Sequence, residues 1–207
     1  IACQEVTEII LPEGVTHIGT AAFKNCTKLA GIVIPDGVKT IGEKAFQYCD
    51  KLLSVTIPTT VTSIGKDAFW RCLSLTSVTI PNSVTTIGNY AFENCKQLEN
   101  IIIPDSVSTI GNYAFSYCPR LTSVSFPVCT NIGSCAFVSC TSLTSANFPE
   151  CTNIGDYAFS NCPGLTSLDL TNCTYIGEGA FLGCTNLKTV KLSNSIDAIK
   201  NYCFKNC

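Results

Sequence analysis

Leu75–Cys95 reads LTSVTIPNSVTTIGNYAFENC, and the pattern inside it decides the fold. Leu75, Val78, Ile80, Pro81, Val84, Ile87, Gly88, Ala91, Phe92 and Cys95 form a frame that recurs along the chain in both directions. Its phenylalanine returns as Phe23, Phe46, Phe69, Phe92, Phe115, Phe137, Phe159, Phe181 and Phe204, at spacings of 23, 23, 23, 23, 22, 22, 22 and 23 residues. A cysteine stands three residues beyond each, from Cys26 to Cys207. A period in the twenties, held from end to end, is the mark of a solenoid in which each unit packs only on its neighbours. Residues 1–207 are therefore expected to form one elongated domain of about nine repeats, each of 22–23 residues.

Each unit divides into three parts. The first, such as Leu75-Thr-Ser-Val78-Thr-Ile80, alternates apolar and polar residues and predicts a short strand. Proline then ends it, because proline has no N–H to give a ladder. A second apolar pair follows, Val84 and Ile87 in the central copy, and then a glycine. The glycine column (Gly19, Gly42, Gly65, Gly88, Gly111, Gly133, Gly155, Gly177) predicts a tight entry into the last part. There Ala91, Phe92 and Cys95 lie three to four apart, which predicts a helical or 3₁₀ turn with one inward face. Lys200 replaces the glycine in the final copy, so that turn is expected to be the least regular. In the 22-residue copies one residue is missing from the proline turn, and Cys129, Cys151 and Cys173 take the valine column. A smaller side chain in a tighter corner accounts for the exchange.

The pattern L-x-x-V-x-I-P-x-x-V-x-x-I-G-x-x-A-F-x-x-C resembles the leucine-rich repeat, specifically its BspA-like, or Treponema pallidum-type, subclass. The resemblance covers Val6 to Cys207. It implies an α/β solenoid: a right-handed superhelix with short parallel strands on its concave face and short helical or 3₁₀ turns on the other side. It also implies roles in adhesion and protein binding, often at the surface of bacteria and parasitic protists. Thr171 and Ser193 for proline, cysteine for valine, and Cys203 for alanine depart from the pattern and bear on local geometry.

Composition narrows the partners. Charged residues are 14 % of the chain, against roughly 25 % in ordinary soluble proteins, so the surface is mostly hydroxyl and amide. Net charge is −2 with no basic run, which gives no electrostatic footprint for nucleic acid. No stretch approaches the roughly 20 apolar residues of a membrane-spanning helix. The chain opens inside a repeat at Ile1-Ala2-Cys3, without a signal peptide, and stops at Cys207 without a polar cap. It reads as a piece of a longer protein, and its open strand edges predict end-to-end self-association.

Cysteine is the obvious candidate for chemistry, with 15 residues. The spacing argues against zinc, which uses matched close pairs, and against full disulfide pairing of an odd-numbered column. A buried structural thiol column is the expectation, with Cys135 as the exposed, reactive thiol because it takes the outward place of Tyr90, Tyr113 and Tyr157. His17, the only histidine, falls in a turn column with Thr40, Ser63, Thr86 and Thr109 and reads as a solvent-facing residue rather than a catalytic base. No phosphate loop, dinucleotide fingerprint or H-E-x-x-H occurs, and no enzyme activity, metal or cofactor is expected. Asn25-Cys-Thr27 and Asn172-Cys-Thr174 fit the N-glycosylation pattern.

Two columns point outward from the strands. One runs Ile10, Val33, Thr56, Thr79, Ile102, Ser125, Asn147, Asp169, Lys191, and the other from Glu8 through Gly31, Ser54 and Asn100 to Thr189. Ile102 is apolar on a hydroxyl surface, beside Glu99 and Asn100, while Asp169 and Lys191 break the uncharged pattern and are close enough to pair. Glu99, Asn100, Ile102, Ser125, Asn147, Asp169 and Lys191 are therefore the candidate ligand-binding residues. The expected function is a non-catalytic, cell-surface or secreted binding module for a protein or cell-surface ligand. The alternative is a cytoplasmic leucine-rich-repeat scaffold, which reduced thiols favour.

Overall fold

A computed structural model describes residues 3–207; Ile1 and Ala2, where the expected domain begins, lie outside the described residues. Two kinds of strand alternate along the chain. The longer kind comprises β1 (Glu8–Ile10), β3 (Gly31–Val33), β5 (Ser54–Thr56), β7 (Ser77–Thr79), β9 (Asn100–Ile102), β11 (Ser123–Ser125), β13 (Ser145–Asn147), β15 (Ser167–Leu170) and β17 (Thr189–Leu192). The two-residue kind comprises β2 (His17–Ile18), β4 (Thr40–Ile41), β6 (Ser63–Ile64), β8 (Thr86–Ile87), β10 (Thr109–Ile110), β12 (Asn131–Ile132), β14 (Asn153–Ile154) and β16 (Tyr175–Ile176). All pairings are parallel and in repeat register, so that Val55 faces Val78 and Ile64 faces Ile87.

The β2–β16 ladder is continuous over eight strands. This second sheet was not expected, because two residues are too few to show an alternation. The longer strands form three sheets instead of one: β1-β3-β5-β7-β9, β11-β13 and β15-β17. β15 and β17 are four residues long, one more than the others, and they are the two followed by Thr171 and Ser193 in place of proline. Without a proline to end the strands there, the ladder gains the Leu170–Leu192 rung.

The helical or 3₁₀ turns implied for the other side are not present: the Gly88–Cys95 segment is a chain of turns with no helix. Tyr90 (φ 59) and Asn94 (φ 58) are left-handed, and their equivalents recur in every copy from Ala21 to Asn206. A left-handed residue every fourth position breaks any run of helical dihedrals. The amide groups alternate in consequence. Ala91, Glu93 and Cys95 bond three residues back, at 3.2–3.3 Å, while Tyr90, Phe92 and Asn94 donate across to Asn112, Ala114 and Ser116 of the next repeat at 2.8 Å. The segment is thus stitched to its neighbour through every second residue.

The glycine column has a different cause from the one expected. None of its φ values is positive, so the turn itself does not demand glycine. Instead, a Cβ added at any of Gly42, Gly65, Gly88, Gly111, Gly133, Gly155 or Gly177 would lie within 2.8 Å of a backbone atom of the preceding repeat. Close backbone stacking sets the column. Lys200 sits where this approach would be needed next, and no two-residue strand forms after β16, so the last copy is the irregular one.

The core is a set of columns. Phe23, Phe46, Phe69, Phe92, Phe115, Phe137, Phe159, Phe181 and Phe204 stack ring on ring, with centroids 5.1–5.6 Å apart and planes within 25°. Each such pair contributes about 0.5–1.5 kcal/mol beyond area burial. Beside them run the buried leucine, isoleucine, alanine and cysteine columns.

The cysteines are more than small apolar fillers. Cys72, Cys95, Cys118 and Cys140 each donate Sγ–H to the phenylalanine carbonyl of the preceding repeat, to Phe46, Phe69, Phe92 and Phe115 at 3.2–3.3 Å. In the shortened corner Cys129 and Cys151 donate to the Asn131 and Asn153 carbonyls, both at 3.3 Å. Valine has no such donor, so the exchange supplies a hydrogen bond as well as room.

Candidate functional site

Alternation puts one residue of each long strand inward and its two neighbours into solvent. Val78 is buried between exposed Ser77 and Thr79, and the same holds at Ser54–Thr56 and Ser123–Ser125. The two outward columns thus run as the residue pattern predicts, in the register Ile10–Val33–Thr56–Thr79–Ile102, then Ser125–Asn147, then Asp169–Lys191.

The face carries two depressions. The larger, about 860 Å³, lies at the N-terminal rungs and is lined by Glu8, Ile10, Leu11, Glu13, Gly31 and Val33 among others. Ile10 and Val33 are 85 % and 76 % exposed, and Gly31 leaves the neighbouring column empty beside them. These residues were not among the candidates. Their signal was present in the outward column, where two aliphatic residues precede two threonines.

The second depression, about 460 Å³, lies where the ladder is interrupted between β9 and β11. The backbone bond at the gap, Thr122 N–H to the Glu99 carbonyl, is stretched to 3.5 Å, as is the bond from the Thr122 hydroxyl to the same oxygen, against 3.0 Å for the equivalent Glu99 N–H to Thr76. Ile102, Ser125 and Asn147 line this depression together, with Asn147 Nδ2 donating to Ser125 Oγ at 3.4 Å. Ile102 is 64 % exposed. Asn100 is exposed opposite Ser77, and Glu99 is held by Arg120, which also donates to Gln97.

Asp169 and Lys191 stand apart, beyond a further interruption between β13 and β15. They pair with each other at 3.5 Å, and Asp169 also accepts from the Thr171 hydroxyl at 2.7 Å and the Thr171 N–H at 3.2 Å. Those Thr171 bonds and the Lys191 ammonium hold the Asp169 carboxyl below its ordinary value. The structure therefore gathers three of the seven candidates in one depression, sets Asn100 at the start of the same strand as Ile102 with Glu99 just before it, and places the charged pair on a separate sheet.

The remaining candidates for chemistry are located as follows. His17 belongs to strand β2 rather than to a turn, because its neighbour Ile18 pairs with Ile41; its ring Nδ1 lies 2.8 Å from the Thr16 hydroxyl. Cys135 is half-buried rather than exposed, since it stacks beside Tyr113, whose phenol is pushed up to about 12 chiefly by that thiol. Disulfides are not wholly absent: Cys3 and Cys26, one repeat apart, are bonded with their Cα atoms 4.4 Å from each other. Among the described residues no cluster of three metal-ligating side chains forms, and no helix is long and apolar enough to cross a membrane.

Stacked parallel strands, in-register aliphatic columns and a turn segment repeated every 22–23 residues define a leucine-rich-repeat solenoid. The chain belongs to the BspA-type leucine-rich repeat family. The model of that family, described as the BspA type leucine rich repeat region, matches residues 2–122 and 109–207. Among solved structures, a leucine-rich repeat protein of Treponema pallidum is 30 % identical, with a TM-score of 0.71 over 77 % of this chain and 78 % of that one. One from Bacteroides ovatus is 26 % identical, with a TM-score of 0.55 over 100 % of this chain and 78 % of that one. A leucine-rich cell surface protein of Faecalibacterium prausnitzii is 25 % identical, with a TM-score of 0.61 over 98 % and 73 %. No curated protein matches the chain. Leucine-rich repeat proteins are in general protein-interaction modules, of a non-enzymatic type.

Proposed function

We propose that this chain is a non-catalytic binding module whose longer-strand face, the concave face of a right-handed solenoid, receives a protein ligand at a cell surface. One observation carries the reading: Ile10, Val33 and Ile102 stand 64–85 % exposed on a face whose alternate residues, Ile9, Ile32 and Ile101, pack on the core. A β-face that met only water would have no use for three projecting aliphatic side chains in two depressions. The ligand would bury those residues and draw orientation from Glu8, Asn100, Ser125 and Asn147 around them, an apolar centre with a polar rim. The likeness to a protein described as a cell surface protein supports the location.

A second reading has its own observation. Thirteen cysteines are free, most of them buried, which suits a scaffold kept in a reducing cytoplasm. Protease treatment of intact source cells, followed by mass spectrometry, separates the two. Peptides of this chain are expected in the released fraction while cytoplasmic controls are absent from it. Release only after lysis contradicts the surface reading and favours the scaffold.

A further inference from the structure

The cysteine column has ten members once Cys3, which lies 23 residues before Cys26, is counted with it. We propose that the column is a series of cross-repeat cystine sites, filled pairwise during folding by a small-molecule disulfide. The register is Cys3–Cys26, Cys49–Cys72, Cys95–Cys118, Cys140–Cys162 and Cys184–Cys207. The proposal rests on the geometry of the column and is independent of the ligand face.

The first pair is already made, with a Cα separation of 4.4 Å at the near end of the disulfide range. Each later step is built on one repeated backbone bond. The residue before each cysteine donates its N–H to the next repeat: Tyr48 to Trp70, Asn94 to Ser116, Ser139 to Ser160 and Gly183 to Lys205, all at 2.8–2.9 Å. Neighbouring column positions are therefore held at nearly one separation, close to the interstrand spacing of about 4.8 Å. The Cys3–Cys26 bond also fixes the phase. It removes the first two members and leaves eight that pair without remainder, whereas a shift by one would strand Cys26.

Both redox states suit the fold. Reduced, each thiol beyond Cys26 donates to a phenylalanine carbonyl of the preceding repeat, as Cys95 does to Phe69 at 3.3 Å and Cys162 does to Phe137 at 3.1 Å. Oxidised, that donor is given up for a covalent link to the next repeat. In the chemistry, two column thiols and one small disulfide give one cystine and two small thiols. The column supplies both electrons and both protons.

Exchange runs through a thiolate. In the folded protein Cys72, Cys95, Cys118, Cys140 and Cys162 have no exposed surface, and burial pushes their thiols well above the ordinary value. The state of the column is thus set while the repeats assemble and is then locked, so that it records the compartment in which the chain folded.

The test is to unfold and reduce the protein, then refold it in a mixture of oxidised and reduced glutathione. Remaining thiols are alkylated under denaturing conditions, and the links are mapped by peptide mass spectrometry. The five neighbour links are expected, with Cys129, Cys135, Cys151, Cys173 and Cys203 alkylated. Native protein already folded in its reduced form is expected to acquire the links beyond Cys26 at least about tenfold more slowly in the same buffer. In Cys72→Ser, Cys49 is expected to appear as one new free thiol while the other four links persist. The proposal is overturned by column cysteines beyond Cys26 recovered as free thiols, by links between positions that are not neighbours, or by oxidised protein that does not fold.

Discussion

Raising the pH above about 9 is expected to unfold the reduced protein abruptly, within roughly one to two pH units. The cause is the thiol column. Burial pushes Cys49 and Cys184 up to about 12 and Cys72, Cys95, Cys118, Cys140 and Cys162 well above the ordinary 9.0. In the unfolded chain the same groups ionise near 9.0. A group whose folded pKa is raised contributes its stability in full below the unfolded value and loses it as the pH climbs toward the folded one.

Each thiol loses about 1.4 kcal/mol per pH unit in that window. The seven named above act together, at a combined rate comparable per pH unit with the about 5–15 kcal/mol that holds a typical domain folded. Denaturant unfolding measured from neutral pH upward checks this. Lysine and tyrosine also titrate there, so the discriminating readout is Cys95→Ser. Its hydroxyl retains a donor for the Phe69 carbonyl but does not ionise, and the slope is expected to fall by about 1.4 kcal/mol per pH unit. An unchanged slope would show that thiol burial does not govern alkaline stability.

Gly88→Ala is expected to cost about 3 kcal/mol or more and to lower the melting temperature by roughly 6–12 °C. The added methyl would lie 2.8 Å from the Gly65 carbonyl carbon and 2.9 Å from the carbonyl oxygens of Gly65 and Ile64. These are backbone atoms with no rotamer to yield, so the repeats must part. Parting them also strains the Gly88 N–H to Ile64 bond, 3.2 Å long. Gly19 is the internal control. It begins the column, a Cβ there meets nothing within 4 Å, and Gly19→Ala is expected to change stability by under about 0.5 kcal/mol. Equal effects at the two sites would remove close stacking as the reason for the column.

That contrast also shows where sequence reasoning stopped. The columns of Phe92 and Cys95 were legible because buried side chains in a stack must repeat in kind, and the period alone implies the stack. The glycine was visible but its cause was not, since a tight turn and a close backbone approach leave the same residue behind. The turn segment misled for a related reason. Ala91, Phe92 and Cys95 have helical spacing, but Tyr90 and Asn94 are left-handed, a conformation their side chains do not announce. The outward columns followed from alternation and came through in register, whereas the interruptions between β9 and β11 and between β13 and β15 are backbone events with no residue signature. Ile10 and Val33 were in view, yet only their exposure beside Gly31 distinguishes them from ordinary strand-forming residues.

The most direct test of the binding face compares two variants as baits for surface proteins of neighbouring cells, measured quantitatively against the parent chain. In one, Ile10→Glu, Val33→Glu and Ile102→Glu replace the projecting aliphatic residues. In the other, Glu150→Lys and Thr174→Lys alter exposed positions outside the long strands. Partners retained by the parent are expected to fall at least about tenfold with the first variant and to persist with the second. Partners held equally by the parent and the first variant, with both chains folded, would contradict a ligand site on the face of the longer strands.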